Sequence, residues 1–374
     1  MRAKRLSILG ISLALVVPIF GGSVAVQASG GGNVSVIATG LNNPRGLTFG
    51  PDGQLYVAEG GVGGTTLNTI GKCQQLPFPV GPETSGGFSA SISRVNPDSG
   101  AVTRIATNLP SSQFNEVVGG LVSGVSDVAF VRGTLYAMIS GAGCSHGLLG
   151  TNNAIIRVNP DGTTTQITNL SGFLAANPVA NPEPSVPPGD FDPDGTWYGM
   201  AAKGDALYAL EPNHQEMDRI ETANGNISRV VDFSQSFVAP DDWRGPTAIA
   251  RRDGTFYVGT LMPFPVVPGS AQVFTVNPGG HFELFAGSLT SILGLAFDAS
   301  GRLYVLETSD AVGEPHPGAG DIVRINADGS HETIASGLNL PTAMAYGPDG
   351  NLYVSNNGYG FPPGFGQIVK VALQ

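Results

Sequence analysis

One seven-residue phrase stands near both ends of the chain, as PDGQLYV at residues 51–57 and as PDGNLYV at residues 348–354. Degenerate copies lie between them, namely VRGTLYA (131–137), AKGDALYA (202–209), RDGTFYV (252–258) and ASGRLYV (299–305). Each of the six copies carries one tyrosine; in chain order these are Tyr56, Tyr136, Tyr208, Tyr257, Tyr304 and Tyr353. Because the last three gaps between tyrosines are 49, 47 and 49 residues, the sequence predicts six repeats of one structural unit, with insertions in the first two.

Each unit reads as four short strands. In the first unit these are PRGLTF, the LYV strand, ISRVNPDSG and AVTRIATNL. The sixth unit ends at Gln374 without a fourth strand, and the segment NVSVIATGL at residues 33–41 resembles one. A ring of four-stranded blades that borrows its missing strand from the start of the chain leaves no free sheet edge. The sequence therefore predicts an all-β, six-bladed β-propeller in which residues 33–41 pair with residues 367–372.

Composition agrees with short strands and tight turns. The chain has 374 residues with 54 Gly and 28 Pro, only 13% of them are charged, and no long stretch has a helical period. We expect residues 29–374 to form a single propeller domain. The net charge of −11 repels phosphate groups, so nucleic acid and anionic membrane surfaces are excluded as partners.

The first 28 residues have the pattern of a secretory signal peptide. Arg2, Lys4 and Arg5 precede the apolar run LSILGISLALVVPIF, and the segment that follows this run ends on the small residue Ala28. An uncleaved membrane anchor is the alternative. Cleavage would remove three positive charges and no negative ones, which changes the net charge from −11 to −14. We expect a soluble, exported, monomeric protein in the periplasm or outside the cell.

The long connections are predicted to share one face of the ring, here called the long-loop face. It comprises residues 60–90, 110–124, 140–153, 171–196, 261–270, 308–320 and 357–366. Long loops on a rigid scaffold usually carry function, so a ligand is expected on this face over the central channel. Cys73 and Cys144 fall in matching loops of adjacent units, which favours a disulfide over a pair of metal-binding or reactive thiols.

Several carboxylates are candidate ligands at the channel mouth. The position after each LYV strand is occupied, in chain order, by Glu59, Ile139, Glu211, Thr260, Glu307 and Asn356. The three carboxylates and the amide in this set could bind Ca²⁺, or they could cap turns. The first strands have small residues at their centre, except for Asp127 in the second unit, and Arg45 stands at the entrance of the first. A second candidate calcium loop contains Asp190, Asp192 and Asp194, but Ala201 replaces its closing Glu, and a Pro-rich turn is the alternative.

Catalysis has little support in the sequence. The histidines are scattered, and neither a G-x-S-x-G elbow nor an H-E-x-x-H helix is present. His146 and His316 are the two that lie in the long loops. No catalytic residue can be assigned.

The segment NNPRGLTFGPDGQLYVAEGG resembles the NHL-type propeller unit, and the likeness extends over all six repeats. With the leader and the Cys-bearing insertions, the chain more closely resembles the ScyD/ScyE-type proteins associated with scytonemin pigment clusters. That resemblance implies export and a propeller fold, and it brings no catalytic residues.

Two classes of function follow. The first is an exported binding or scaffold protein that holds a small apolar molecule or a partner protein on the long-loop face, linked to scytonemin-type secondary metabolism. The second is a metal-dependent lactonase or hydrolase similar to gluconolactonase-type propellers, which place Glu, Asn and Asp at the entrances of the innermost strands. Here those entrances hold Arg45, Ser126, Tyr198, Thr247, Leu293 and Thr342, which favours the first class.

Overall fold

The computed structural model describes residues 33–373, except for 65–68, 77–80, 83–84, 115–120, 182–191, 237–243 and 264. The predicted signal peptide, residues 1–28, lies outside the described residues. Among the described residues, no helix combines the length and the apolarity needed to cross a membrane.

The described chain forms six blades of four antiparallel strands, as predicted. Blade one contains β2 (Pro44–Phe49), β3 (Leu55–Glu59), β4 (Gly87–Val95) and β5 (Val102–Gln113), to which the two-residue β6 (Val122–Ser123) adds a fifth strand. Blade two contains β7 (Val125–Val131), β8 (Thr134–Ile139), β9 (Ala154–Val158) and β10 (Thr164–Asn169). Blade three contains β11 (Met200–Lys203), β12 (Ala206–Glu211), β13 (Glu216–Glu221) and β14 (Ile227–Asp232).

The second half of the ring repeats this plan. Blade four contains β15 (Gly245–Arg252), β16 (Thr255–Leu261), β17 (Ala271–Val276) and β18 (Phe282–Leu289). Blade five contains β19 (Ile292–Phe297), β20 (Leu303–Glu307), β21 (Pro317–Ile325) and β22 (His331–Asn339). Blade six contains β23 (Ala343–Tyr346), β24 (Leu352–Asn356), β25 (Gly366–Ala372) and β1 (Asn33–Leu41).

The ring is closed by residues 33–41, as predicted from the missing fourth strand of the sixth unit. β1 pairs antiparallel with β25, with Val34 opposite Val371 and Leu41 opposite Gly366. The outer strand of blade six is thus supplied from the other end of the sequence, and its partner β25 is paired on both sides.

The hydrophobic core lies between the blades. Second strands are buried on both sides because each blade is covered by two neighbours; β20, for example, is buried at every position, whereas the outermost β22 is buried at only two of its nine positions. Six apolar clusters each join two adjacent blades, the last one joining blades six and one. The repeat tyrosines all belong to these clusters, as in the edge-to-face contact of Tyr56 with Phe130. This explains why one tyrosine occurs in every repeat.

Blade three departs from the regular plan. The segment before it contains a short helix, α1 (Leu170–Ala176), whose start is capped by Asn169 through a hydrogen bond from the Gly172 N–H at 2.7 Å. Its first strand, β11, begins at Met200 and has only four residues. The Trp197 side chain is fully buried, so this residue contributes to the core outside the strand.

Candidate functional site

The residues that end the second strands of four blades have one structural role in common. Each accepts a backbone N–H from the connection that leads into the innermost strand of its own blade. The donor–acceptor pairs are Asn42 N to Glu59 Oε2 (2.6 Å), Thr196 N to Glu211 Oε1 (2.7 Å), Thr290 N to Glu307 Oε1 (2.7 Å) and Asn339 N to Asn356 Oδ1 (2.8 Å). We call these four residues the cap column. Their geometry is that of turn capping, the alternative to calcium binding, and they occupy four different blades.

In blade one the cap carboxylate is fully satisfied. Glu59 is completely buried and also accepts hydrogen bonds from the hydroxyls of Ser91 (3.1 Å) and Ser93 (2.5 Å). Arg104 completes the site with a 3.0 Å ion pair to Glu59 Oε2. Glu59 therefore fastens three strands of blade one together.

In blade five the cap carboxyl faces another carboxyl. Glu307 is the register partner of Asp321 on the next strand, and both are almost completely buried. Burial, reinforced by the Asp321 charge, raises the pKa of Glu307 to about 9. Burial, reinforced by Asp310, raises the pKa of Asp321 to about 7. Since Asp321 Oδ1 has no hydrogen-bond partner among the described residues, the pair is most simply satisfied by a shared proton.

Blade three holds another group of buried acids, Glu211, Glu216 and Asp218. Glu211 pairs with His214 Nδ1 at 3.1 Å, and its register partner is Glu216. Glu216 is bonded to Arg229 at 2.5 Å. Burial and the neighbouring Glu216 raise the pKa of Asp218 well above its usual value. Burial alone would lower the pKa of His214, but the Glu211 charge outweighs it and the pKa is raised.

The mouth of the channel on the long-loop face is occupied by Arg45 and Tyr198. Arg45 donates to the carbonyls of Gly358 (2.8 Å) and Val122 (2.7 Å), on either side of blade one. The Tyr198 hydroxyl donates to the Thr342 carbonyl at 3.1 Å. Because Tyr198 precedes blade three and Thr342 precedes blade six, which face each other in a ring of six, the Tyr198 side chain crosses the channel axis. The long-loop end of the channel is therefore closed by these two side chains.

Asp127 lies inside the channel, below this closure. Its Oδ1 accepts from its neighbour Val128 N (2.8 Å), and its Oδ2 accepts from Met200 N of blade three (2.7 Å). A Cβ at Gly46 would lie 1.9 Å from Asp127 Oδ1, so the carboxylate needs a glycine on blade one. Burial raises the pKa of Asp127 to about 7.

These residues do not fit a metal at the channel mouth. In the portion of the chain that the structure describes, no three His, Cys, Asp or Glu side chains come together as a ligand set. Of the described residues, Asp127 is the only carboxylate that lines the channel, and the cation Arg45 stands at its entrance. The candidate residues Glu59, Glu211 and Glu307 lie in separate blades and already accept hydrogen bonds.

The acids of the second candidate calcium loop tie two loops together. Asp190 lies outside the described residues. Asp192 is fully buried, bonds His146 Nε2 at 2.8 Å and accepts from the Ser145 hydroxyl at 2.8 Å. Burial alone would raise the pKa of Asp192, but the His146 charge and these hydrogen bonds hold it below its usual value. Asp194 accepts from Ser145 N at 2.8 Å.

The predicted disulfide is present and stands beside this cluster. Cys73 and Cys144 are bonded with an S–S distance of 2.04 Å, which joins the long loops of blades one and two. His146, two residues further, is buried by the cluster, whereas His316 is exposed and its Nδ1 lies 3.2 Å from the Pro317 carbonyl oxygen. The sequence signal for this arrangement was the placement of both cysteines in equivalent loops.

The long-loop face also carries most of the exposed apolar side chains. Ten large hydrophobic residues of the described chain are exposed, and seven lie on this face: Val62, Ile70, Phe88, Leu149, Val267, Val312 and Phe365. The other three, Val36, Leu284 and Phe285, lie on outermost strands. The apolar side chains are therefore concentrated where the sequence predicted a working face.

No family model and no curated protein matches the chain. Solved structures do match. A putative oxidoreductase (glucose dehydrogenase) from Thermus thermophilus is 16% identical with a TM-score of 0.55, covering 91% of this chain and 100% of that one. A gluconolactonase from Xanthomonas campestris is 11% identical with a TM-score of 0.55, covering 92% and 90%. At these identities the likeness shows a shared propeller fold, and it extends over nearly the whole of each chain.

Proposed function

We propose that this is an exported binding or scaffold protein that holds a partner protein on its long-loop face. The observation that carries the proposal is the concentration of seven of the ten exposed large apolar side chains of the described chain on that face. Exposed apolar residues gathered on one side of a protein commonly mark an interaction surface. Because the net charge of the protein is −11, we expect the surface of the partner to be neutral or basic.

The loops of this face are joined to one another, which favours a preformed surface. The disulfide links the loops of blades one and two. Val266 and Gly313 exchange two backbone hydrogen bonds, of 2.6 and 3.1 Å, between the loops of blades four and five. The hydroxyls of Thr308 and Tyr359 are 3.0 Å apart and join blades five and six. A surface that is already ordered loses little entropy on binding.

The spread of the apolar residues favours a protein over a small molecule as the partner on this face. They come from the loops of blades one, two, four, five and six, so a single small molecule cannot contact them all. The channel mouth at the centre of the face is filled by Arg45 and Tyr198. A broad, flat partner surface fits this distribution better than a compact ligand.

Site-specific photo-crosslinking in the source cells tests the proposal. A photoreactive residue at Val312 or at Phe365 is expected to capture one predominant partner. The same residue at Leu284, which is 57% exposed on an outermost strand, serves as the matched control, since Phe365 is 56% exposed. Equal capture from Leu284, or no product from either loop position, would overturn the proposal.

Export and the ScyD/ScyE resemblance belong to the same proposal. The disulfide supports export because such bonds persist in oxidising compartments. Mass spectrometry of the protein recovered from the periplasm or the medium should give a chain that begins after Ala28. A chain recovered only from the cytoplasm with its leader intact would contradict export. A link to scytonemin-type metabolism predicts that the gene lies beside pigment biosynthesis genes.

The metal-dependent lactonase is the alternative, and its support is the propeller fold shared with a gluconolactonase. The described residues at the channel mouth do not supply the ligands that such a site needs, and they support no hydrolytic step. Gluconolactone hydrolysis that requires an added divalent cation would establish the alternative.

A further inference from the structure

The central channel contains a cavity of about 380 Å³. Innermost strands from all six blades line it, and residues such as Gly46, Gly199 and Gly294 leave it room. Its volume lies at the lower end of the range for small-molecule sites. The channel therefore has space for a compact organic molecule.

This cavity is accessible from the face opposite the long loops. At the long-loop end, the Tyr198 side chain crosses the axis and Arg45 stands beside it. At the other end, the lining residues Phe49, Phe130 and Ile249 are only partly buried. A molecule that enters the channel passes these apolar side chains and meets Asp127 near the closed end.

Asp127 is a carboxylate without a cationic partner in the described part of the chain. Its hydrogen bonds come from the backbone N–H groups of Val128 and Met200, and the other described lining positions carry no Lys, Arg or His. Asp127 is half-buried in the channel wall, and a carboxylate partly withdrawn from water is costly unless a positive charge accompanies it. A cation placed in the cavity would therefore remove an electrostatic cost that the protein alone leaves uncompensated.

We propose that the channel binds a small organic amine in its protonated form, with the ammonium group at Asp127 and the apolar body directed toward Phe49 and Phe130. The site is separate from the long-loop surface and does not depend on the function proposed for it. The negative net charge of the protein also favours a cationic ligand.

The proposed binding depends on pH through Asp127. Because burial raises its pKa to about 7, the carboxyl is largely neutral in weakly acidic solution and ionised above neutrality. The other ionisable groups described at this end are Tyr198, Arg45 and Tyr359, and burial raises the pKa of the Tyr359 phenol, which stays neutral. Burial raises the pKa of Tyr198, so its phenol stays neutral. Burial lowers the pKa of Arg45 from an ordinary value far above neutrality, and its guanidinium keeps its positive charge. Binding should strengthen as the pH rises through about 7.

Calorimetric titration of the purified protein with n-butylamine tests this, because the amine stays protonated on both sides of neutrality. We expect saturable binding at about pH 8.5 and at least tenfold weaker binding at about pH 5.5, since most Asp127 carboxyls are then protonated. The neutral isostere n-butanol should bind more weakly at both values and without pH dependence. Equal binding of amine and alcohol, or no amine binding, would overturn the proposal.

Two variants locate the site. Asp127→Asn should weaken amine binding at least tenfold at about pH 8.5 and abolish its pH dependence. Should this variant fail to fold, Ala343→Phe narrows the cavity while keeping Asp127, and it should also abolish binding. Leu284→Ala on an outermost strand is the matched control and should bind like the wild type. Unchanged binding by a folded Asp127→Asn or Ala343→Phe variant would place the amine elsewhere and exclude the channel.

Discussion

Blades one and five use the same position of the repeat in opposite ways. Glu59 and Glu307 both end a second strand, and both accept a backbone N–H from the connection seventeen residues before them. Across the strand pair, however, Glu59 meets two serines and Arg104, whereas Glu307 meets Asp321. The cap is a property of the repeat, whereas the partners of its side chain are set by the neighbouring strand. Blade one therefore gains stability from the hydroxyl and guanidinium donors around Glu59, while blade five is most stable when its pair holds a proton.

The same two blades also anchor their long loops by different means. The blade one loop is joined to blade two by the disulfide, whose cysteines are 71 residues apart in the sequence. The blade five loop is joined to blade four by the hydrogen bonds between Val266 and Gly313. The following predictions test both contrasts.

Removal of the disulfide should have the largest effect. The double variant Cys73→Ser, Cys144→Ser should lower the free energy of unfolding by about 4 kcal/mol, because the 71-residue loop is no longer closed in the unfolded chain. Urea unfolding measures the change. Gly313→Ala is the counterpart in blade five; since Gly313 has φ of 100°, it should cost about 1 kcal/mol. A larger loss from Gly313→Ala than from the double variant would reverse the comparison.

Loss of the blade one carboxylate comes next. Glu59→Ala leaves the donors of Asn42, Ser91, Ser93 and Arg104 without their acceptor, and should lower the free energy of unfolding by about 3 kcal/mol. Chemical denaturation near neutral pH measures it. Asn356→Ala, in which a neutral cap is removed, should cost about 1 kcal/mol. If the two variants lose the same amount, the ion pair adds nothing to the blade one cap.

The blade five pair predicts a pH dependence of the opposite sign to that of an ordinary ion pair. In the folded protein the pKa of Glu307 is about 9 and that of Asp321 is about 7, so between about pH 4 and about pH 9 the folded state binds more protons than the unfolded state. The stabilisation that the Glu307–Asp321 pair contributes is complete at pH values below the pKa values of these groups in the unfolded chain. It is lost as the pH rises through about 7 and about 9. Glu307→Gln, which keeps the Thr290 acceptor, should remove this loss and be at least about 1 kcal/mol more stable than wild type at about pH 9.

Thermal melting at about pH 5 and about pH 9 measures that difference. Glu59→Gln is the matched control, and it should destabilise at both values because its carboxylate has cationic and hydroxyl donors. A Glu307→Gln variant that is less stable than wild type at the higher pH would show that no proton is shared with Asp321.

Metal removal should have the smallest effect. Because the oxygens of the cap column already accept backbone N–H groups, treatment with EDTA is expected to leave the melting temperature unchanged. Elemental analysis of the untreated protein is the companion measurement. Stoichiometric Ca²⁺ that is lost in both Glu59→Gln and Glu307→Gln would instead make the column a metal site.

The ring was predictable from the sequence because its signals are local and repeated. Each Asp-Gly turn and Leu-Tyr-Val strand recurs in recognisable form from blade to blade, and the missing fourth strand of the sixth unit identified residues 33–41 as the closing strand. The disulfide was predictable because Cys73 and Cys144 occupy equivalent loops. These features can be predicted from the repeat alone, without knowing which side chains contact one another.

The partners of the site residues were not predictable in the same way. Asp321 comes fourteen residues after Glu307, and the two are opposite each other only because the nine-residue loop between β20 and β21 fixes the register of these strands. Glu216 is only five residues after Glu211, so its position opposite Glu211 in a hairpin was predictable from the sequence. Tyr198 closes the channel by reaching a carbonyl of the facing blade, a contact that depends on the diameter of the finished ring.

The pairing of β1 with β25 has a consequence for how the molecule is made. β1 cannot pair until β25 has been synthesised, so blade six stays incomplete until that strand is available. Its contacts are among the most distant along the chain, and such contacts slow folding. An unfinished or shortened product would expose an open edge in blade six, available to neighbouring molecules. Pairing of β25 with β1 is thus the step that separates a closed ring from one with an open, aggregation-prone edge.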